Sequence, residues 1–450
     1  MGRRERRSPE PDPALPGGPD WITLPAAASR MCRPSVAGHV PRGTSQEPIR
    51  RMGRARSRGP ETFSPAAAPA SDPASIPQPL GIPRDHTMDP LSIAPDGYRD
   101  LRDHLAWGDA GRRRIVLVAG EDAVRFVDGF CTASLAALAP GAGTEAFFPD
   151  ARGQVQLWAT ILRMADGVWI DADPPLDGDG EGWSLATHLD RYHIRERLEI
   201  VDASDRFATL FLAGPAARAW LQREASLPVG SGEDLPGRGA SPRTLIAPQH
   251  GRLADVAAGV LPGHCAGIPA AILQGEWLGP GSYLVVVPRD DASRLVDQWR
   301  GEGIVEASAA ALEAVRREEG RPAPCDVPPR VLPQEFGRDG AAISFTKGCY
   351  LGQETVARLD ALGHVNRRFV GIVTAAAVSA GPGATVTIRG AQEAVGTITS
   401  AGPSPRLGEG LGLGLMRTQA LAAGVELEVA GVSARWVELP LSRGTSGDVA

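Results

Sequence analysis

The octapeptide Lys347-Gly348-Cys349-Tyr350-Leu351-Gly352-Gln353-Glu354 sets one thiol two positions from a cation, on a strip hinged by two glycines. A nearby positive charge favours the thiolate, the form of cysteine that attacks electrophiles and ligates metals. Gly348 and Gly352 let the backbone turn tightly, or approach a ligand where a side chain would clash. Tyr350, Gln353 and Glu354 complete the strip, the last two with polar groups able to orient it through hydrogen bonds. The residues alone leave two readings open. Cys349 is either a reactive or metal-binding group, or the small buried hydrophobe that most free cysteines are.

This octapeptide follows Leu332-Pro333-Gln334-Glu335 and Ile343-Ser344-Phe345, and together they resemble the hallmark of the YgfZ-type folate-binding proteins. Those proteins are relatives of the glycine-cleavage aminomethyltransferase (T-protein) and support assembly or repair of iron–sulfur enzymes. The resemblance runs over residues 95–440. Arg316, Glu318, Gly320 and Pro322 are similar to the family's Arg-x-Glu-x-Gly-x-Pro stretch, and Ala357-Arg358-Leu359, Gly363 and Asn366-Arg367-Arg368 to the segment leading into its C-terminal β-barrel. Asp128-Gly129-Phe130-Cys131-Thr132, Asp150-Ala151-Arg152-Gly153 and Gly214-Pro215-Ala216 look like weaker landmarks of the same family.

The resemblance implies a non-covalently bound tetrahydrofolate or derivative and no permanently bound metal. Cys349 would be the working thiol and a transient cluster ligand at most, with Lys347 favouring its thiolate. The implied partners are folate and iron–sulfur assembly proteins or client iron–sulfur enzymes. A folate needs a roomy cleft, polar groups for its pterin and cations for its glutamate tail. Arg316, Glu318 and Tyr283 are the candidates, with a solvated helix face as the competing reading of the first two. Two departures stand against a true aminomethyltransferase, the alternative function. Gly279-Pro280-Gly281-Ser282-Tyr283 lacks the acid that faces the pterin in those enzymes, and Ala311-Leu312-Glu313 replaces their Ala-Arg-Asp. Such an enzyme also needs a carboxylate near the folate nitrogen to manage the proton, and Asp150 is the one tempting choice.

Composition narrows the classes. The 450 residues carry a net charge of −6 and 42% hydrophobic residues, which suits a globular protein without an extended nucleic-acid surface. No apolar run approaches the ~20 residues of a membrane span. The five cysteines, Cys32, Cys131, Cys265, Cys325 and Cys349, form no CxxC pair. They suggest neither a disulfide framework nor a local zinc or four-cysteine cluster motif, and reduced cytoplasm fits them best.

Four segments emerge. Residues 1–87 hold 16 prolines, 13 arginines, 8 acids and no lysine, a net of +5 that leaves −11 for residues 88–450. Such a stretch is expected to be disordered, or untranslated if synthesis starts at Met88. Residues 88–368 predict an α+β folate-binding domain with helices on mixed, mainly antiparallel sheets. Its predicted strands include Ile115–Val118, Leu210–Leu212 and Tyr283–Val287. Helices are predicted over Ala123–Phe130, Ala216–Glu224 and Asp290–Arg300, with a further one from the cap Ser308 to Glu319. Residues 226–245 read as a loop. Residues 369–441 predict a small antiparallel β-barrel, with Phe369–Val373, Thr385–Ile388, Val395–Thr399, Val425–Val429 and Val432–Val437 as strands. Residues 442–450 form a flexible tail. The alternating glycines from Gly408 to Gly414 miss both nucleotide-loop spacings and read as a turn and strand. Trp220 and Trp277 read as core anchors. Tyr192-His193, set among Arg191, Arg195 and Arg197, reads as a solvated basic face or a seat for an anionic folate tail.

Overall fold

The computed structural model describes residues 94–173, 184–225, 243–246 as backbone, 256, 261–374 and 381–441. The expected extension 1–87 and the tail 442–450 lie outside these residues, as does the expected loop 226–245 up to residue 242; its residues 243–245 are strand instead.

Twelve strands build the first sheet: β1 (Ala106–Asp109), β2 (Arg114–Ala119), β3 (Ala142–Pro149), β4 (Val155–Met164), β5 (Gly167–Ala172), β6 (Glu199–Asp202), β7 (Phe207–Ala213), β8 (Arg243–Ile246), β9 (Gly263–Cys265), β10 (Ile268–Gly275), β11 (Ser282–Pro288) and β12 (Val305–Glu306). Their order is β12-β1-β7-β11-β10-β8-β3-β4-β5-β2-β6, with β9 beside β10. Only β1 and β12 pair in parallel; the other pairings are antiparallel.

The side-chain period of two explains how one sheet serves three cores. In β11, Leu284 and Val286 enter one cluster while Tyr283, Val285 and Val287 enter another. In β2, Ile115 and Leu117 join the same first cluster, and Val116 and Val118 face a third. The two halves of the sheet therefore share one core. Their other faces are covered by helices, α2 (Ala123–Asp128) and α3 (Leu185–Asp190) over one half, α4 (Ala217–Glu224) and α5 (Ala292–Gly301) over the other. Trp277 lies in the shared core and Trp220 in the outer one, as core anchors. The predicted helix from Ala123 stops at Asp128, so Phe130 falls in the following turn, and the one predicted from Asp290 begins at Ala292 after a 3-10 turn.

α1 (Tyr98–Asp103) and α6 (Ala309–Glu318) bring the chain across the shared core. Ser308 caps α6, its Oγ accepting from the Ala311 amide at 3.3 Å. Two short helices, α7 (Asp339–Ala342) and α8 (Gln353–Leu362), then flank the octapeptide.

The chain ends in a closed six-stranded antiparallel barrel: β13 (Arg367–Thr374), β14 (Thr385–Ile388), β15 (Ala394–Ser404), β16 (Glu409–Arg417), β17 (Leu427–Val429) and β18 (Val432–Val437). The glycine run is a turn and strand, supplying β16. A Cβ at Gly414 would stand 2.2 Å from the Thr397 carbonyl, so β15 and β16 approach too closely there for any side chain. A cluster of Phe147, Trp158, Phe336, Val356, Phe369 and Leu413 packs the sheet, the α7–α8 region and the barrel together.

Candidate functional site

The octapeptide lies in a loop fastened from two sides by two of the weaker sequence landmarks, Asp128–Thr132 and Asp150–Gly153. On one side stands the turn after α2. The Ser344 amide donates to the Thr132 carbonyl at 2.8 Å, and the Thr132 hydroxyl donates to the Ala342 carbonyl at 2.6 Å. The Leu351 amide donates to the Gly129 carbonyl at 2.9 Å. On the other side stands the β3–β4 turn. Gly352, at φ 80°, would place a Cβ 2.3 Å from the Asp150 carbonyl, and Gly153 would place one 2.7 Å from the Thr355 Cβ. Here glycine is required twice over, by the left-handed backbone and by the approach. Gln353 accepts from the Tyr350 amide at 3.3 Å and so closes the loop into α8, while Glu354 stands exposed on that helix's first turn.

Lys347 is held by the turn after α2. Its side chain is 1% exposed, and its ammonium donates to the carbonyls of Asp128, Cys131 and Ala133 at 2.6, 2.9 and 2.6 Å. It also pairs with the Asp128 carboxylate at 3.2 Å and lies 5.2 Å from the buried Tyr350 ring. Three donors meet three carbonyls, so the lysine ties the loop to the turn and spends its hydrogens there.

Cys349, two residues on, is exposed, as is Gly348, which has no atom within 4 Å of where a Cβ would stand. The other described cysteines are withdrawn. Burial pushes the Cys131 and Cys265 thiols up to about 12, and Cys325, half-buried, also upward. Buried thiols held up like Cys131 and Cys265 are inert at neutral pH. Among the described cysteines Cys349 is the exposed one, Cys325 being half-buried and Cys131 and Cys265 buried.

The three expected folate contacts are all drawn into the protein, which corrects both earlier readings of Arg316 and Glu318. Arg316 spends its guanidinium on both Glu313 oxygens, on the Arg321 carbonyl at 2.6 Å and on Asp326 at 2.9 Å. Glu318 is fully buried and accepts four hydrogen bonds. Tyr98 and Arg102 donate to Oε2 at 2.7 and 2.5 Å, and Ser404 and the Arg406 amide to Oε1 at 2.7 and 3.1 Å. It fastens α1 and α6 to the barrel. Tyr283 is 1% exposed within an apolar core. A helix end that reads as solvated is buried because α1 and the barrel both close over it.

A second polar centre was not anticipated. Arg338 grips Glu145 with two bonds of 2.5 and 2.6 Å, and its guanidinium lies 5.2 Å from the Trp158 ring. Arg321 stacks on the same ring at 4.3 Å and lies 5.8 Å from Trp277. Arg113 donates to Asp171 at 2.8 Å and pairs with Asp173. Burial presses the pKa of Arg321 well below its ordinary value; Asp173 resists, while Arg338 and Arg113 press the same way. Burial likewise raises Asp171 despite Arg113. Trp158 Nε1 and Asp171 Oδ2 are buried without a hydrogen-bond partner, and Arg321 Nη1 has none beyond an ion pair with Glu145 at 3.8 Å. Orphaned polar atoms of this kind cost free energy unless something fills them. The pairing of Arg338 with Glu145 spans 193 positions, so only the adjacency of Arg321 to Gly320 and Pro322 pointed here.

The fold has known relatives. The model of the glycine cleavage T-protein C-terminal barrel domain matches residues 367–442. A solved structure of glycine cleavage system aminomethyltransferase T from Bartonella henselae superposes with a TM-score of 0.61, covering 77% of this chain and 88% of that one at 18% identity. The fold is thus that of the T-protein class. Curated relatives narrow it. A chloroplastic protein of Arabidopsis thaliana named as a transferase is 27% identical over 69% of this chain, and the tRNA-modifying protein YgfZ of Cronobacter sakazakii is 27% identical over 54%. The mouse mitochondrial iron–sulfur cluster assembly factor IBA57 is 37% identical over 22% of this chain and 27% of its own. The chain is thus similar to YgfZ-type relatives of the glycine-cleavage T-protein. It spans 64% of the length of both the Arabidopsis and the Cronobacter relative. No described helix is long and apolar enough to cross a membrane.

Proposed function

We propose that this chain is a tetrahydrofolate-binding accessory protein that supports iron–sulfur cluster assembly or repair through the thiol of Cys349. The observation that carries the reading is the contrast within the loop: every anchor around Cys349 is spent on position, and the thiol alone is left free. The name of the IBA57 relative supplies the iron–sulfur context. Cys349 would give a cluster in transit one thiolate ligand, losing its proton on ligation, with the remaining ligands coming from the protein that delivers or receives it. No described group of His, Cys, Asp and Glu residues could hold a metal by itself.

The orphaned atoms fit a folate. Arg321 would face one of its carboxylates, and Trp158 offers an indole N–H to its flat portion. When bound, tetrahydrofolate carries one-carbon units on its N5 and N10 nitrogens. Aminomethyl transfer is the weaker reading, because Asp150 Oδ1 already accepts from the Arg152 and Gln154 amides, both at 2.9 Å. The test has two arms. Iron–sulfur enzyme activity in cells deleted for the gene should return when the chain is supplied, and tetrahydrofolate should raise the melting temperature of the purified chain but not of Arg321→Met. Turnover of an aminomethylated lipoyl carrier protein would instead support the transferase.

A further inference from the structure

The basic segment around Tyr192 is neither a loose solvated face nor close-packed; it is a rigid knob. Glu196 Oε2 accepts from the amides of Ile194 and Arg195, both at 3.0 Å, and the Arg197 amide donates to Asp122 at 2.9 Å. A Cβ at Gly120 would stand 2.3 Å from the Arg197 carbonyl, so the segment is pressed onto the turn before α2. Tyr192 packs its ring 4.9 Å from Phe130 and 5.4 Å from His188. Yet Tyr192 remains 43% exposed and Ile194 80%. A branched aliphatic side chain held this far out by a locked backbone is preorganised for burial against something else.

The surrounding charges say what that is. Arg197 pairs with Glu121, and Arg125 with Asp122. Arg191 and Arg195 are exposed and pair with no described carboxylate. The knob also adjoins the thiol loop. Phe130, on which Tyr192 packs, follows Gly129, whose carbonyl holds Leu351 two residues beyond Cys349.

We propose that Arg191–Glu196 docks the protein that exchanges a cluster with Cys349, through a partner surface with an apolar pocket for Ile194 edged by carboxylates for Arg191 and Arg195. This rests on the function read above for Cys349. A protein partner fits better than nucleic acid, since the anchor is aliphatic and has no stacking face, only two cations are free, and residues 88–450 sum to −11.

The test supplies deletion cells with the wild type, Cys349→Ala, Ile194→Asp or Arg191→Glu/Arg195→Glu, and reads iron–sulfur enzyme activity. Melting temperature and the rate of Cys349 alkylation are measured on each purified chain carrying Cys349. The expected result is wild-type melting and alkylation with rescue lowered at least about tenfold in both knob variants, as for loss of an interface anchor. Full rescue by both variants overturns the docking surface while leaving the reading of Cys349 intact. Rescue by Cys349→Ala with failure of the knob variants overturns the thiol's role and keeps the surface. Failure of the wild type to rescue overturns both. A gel shift of bulk tRNA that the arginine swap abolishes and Ile194→Asp does not would replace the protein partner with nucleic acid.

Discussion

The end of α6 and the thiol loop are both short motifs dense in polar residues, and they use them in opposite ways. In α6, Arg316 and Glu318 are enclosed and saturated by partners from α1, the following turn and the barrel. In the loop, Lys347 is saturated in the same manner, but the saturation ends two residues short of Cys349. The first motif is architecture throughout. The second builds architecture around one vacated position, and such an exposed thiol on a fixed backbone is what a transfer step requires.

The comparison breaks most visibly at Glu318. Glu318→Ala should cost about 3–5 kcal/mol in denaturant unfolding, because it strands Arg102, Tyr98 and Ser404 in the interior. A cost under about 0.5 kcal/mol, as for an exposed pair, would contradict the architectural reading. Lys347→Met should come next, losing roughly 2–3 kcal/mol as three buried carbonyls go unpaired. Its alkylation rate at Cys349 should hold or rise as the loop loosens; a lower rate would restore Lys347 as the group that favours the thiolate. Gly352→Ala should cost roughly 1–3 kcal/mol and raise proteolytic cleavage in the loop, from the forced φ and the clash with the Asp150 carbonyl.

The smallest effect belongs to Asp339, at the start of α7. Burial and then Asp360 push its carboxyl up to about 6, and its Oδ1 has no hydrogen-bond partner. An acid whose folded pKa is raised binds its proton more tightly in the folded state. Its contribution is therefore complete below the unfolded pKa and is lost as pH rises through about 6. Asp339→Asn should melt slightly higher than wild type at pH 7 and no higher at pH 4. An equal difference at both would assign the effect to something other than this proton.

Much of this architecture could be read from residue patterns, for identifiable reasons. The strands of both the sheet and the barrel carry alternating or continuous apolar runs, and β11 shows how local that signal is: Tyr283 to Val287 alternate between two cores. The octapeptide stood out because its glycines and thiol are adjacent in sequence. What escaped is tertiary. Nothing near Lys347 shows that three carbonyls from residues 128–133 will surround it. Nothing near Arg338 shows that Glu145 will meet it, or that Arg321 will stack on Trp158. Arg316 and Glu318 were drawn toward a ligand role by their place in a motif, whereas the burial of their helix end depends on a barrel that begins fifty residues later, at Arg367.

That Cys349 is free for chemistry and unneeded for the fold is tested most directly by iron–sulfur enzyme activity in deletion cells supplied with Cys349→Ala, beside Cys131→Ala as the buried control. The prediction is that Cys349→Ala melts within about 0.5 kcal/mol of wild type, as an exposed substitution should, and restores no activity, while Cys131→Ala restores activity in proportion to its folded fraction. Full restoration by Cys349→Ala would contradict the claim and leave the loop a structural element.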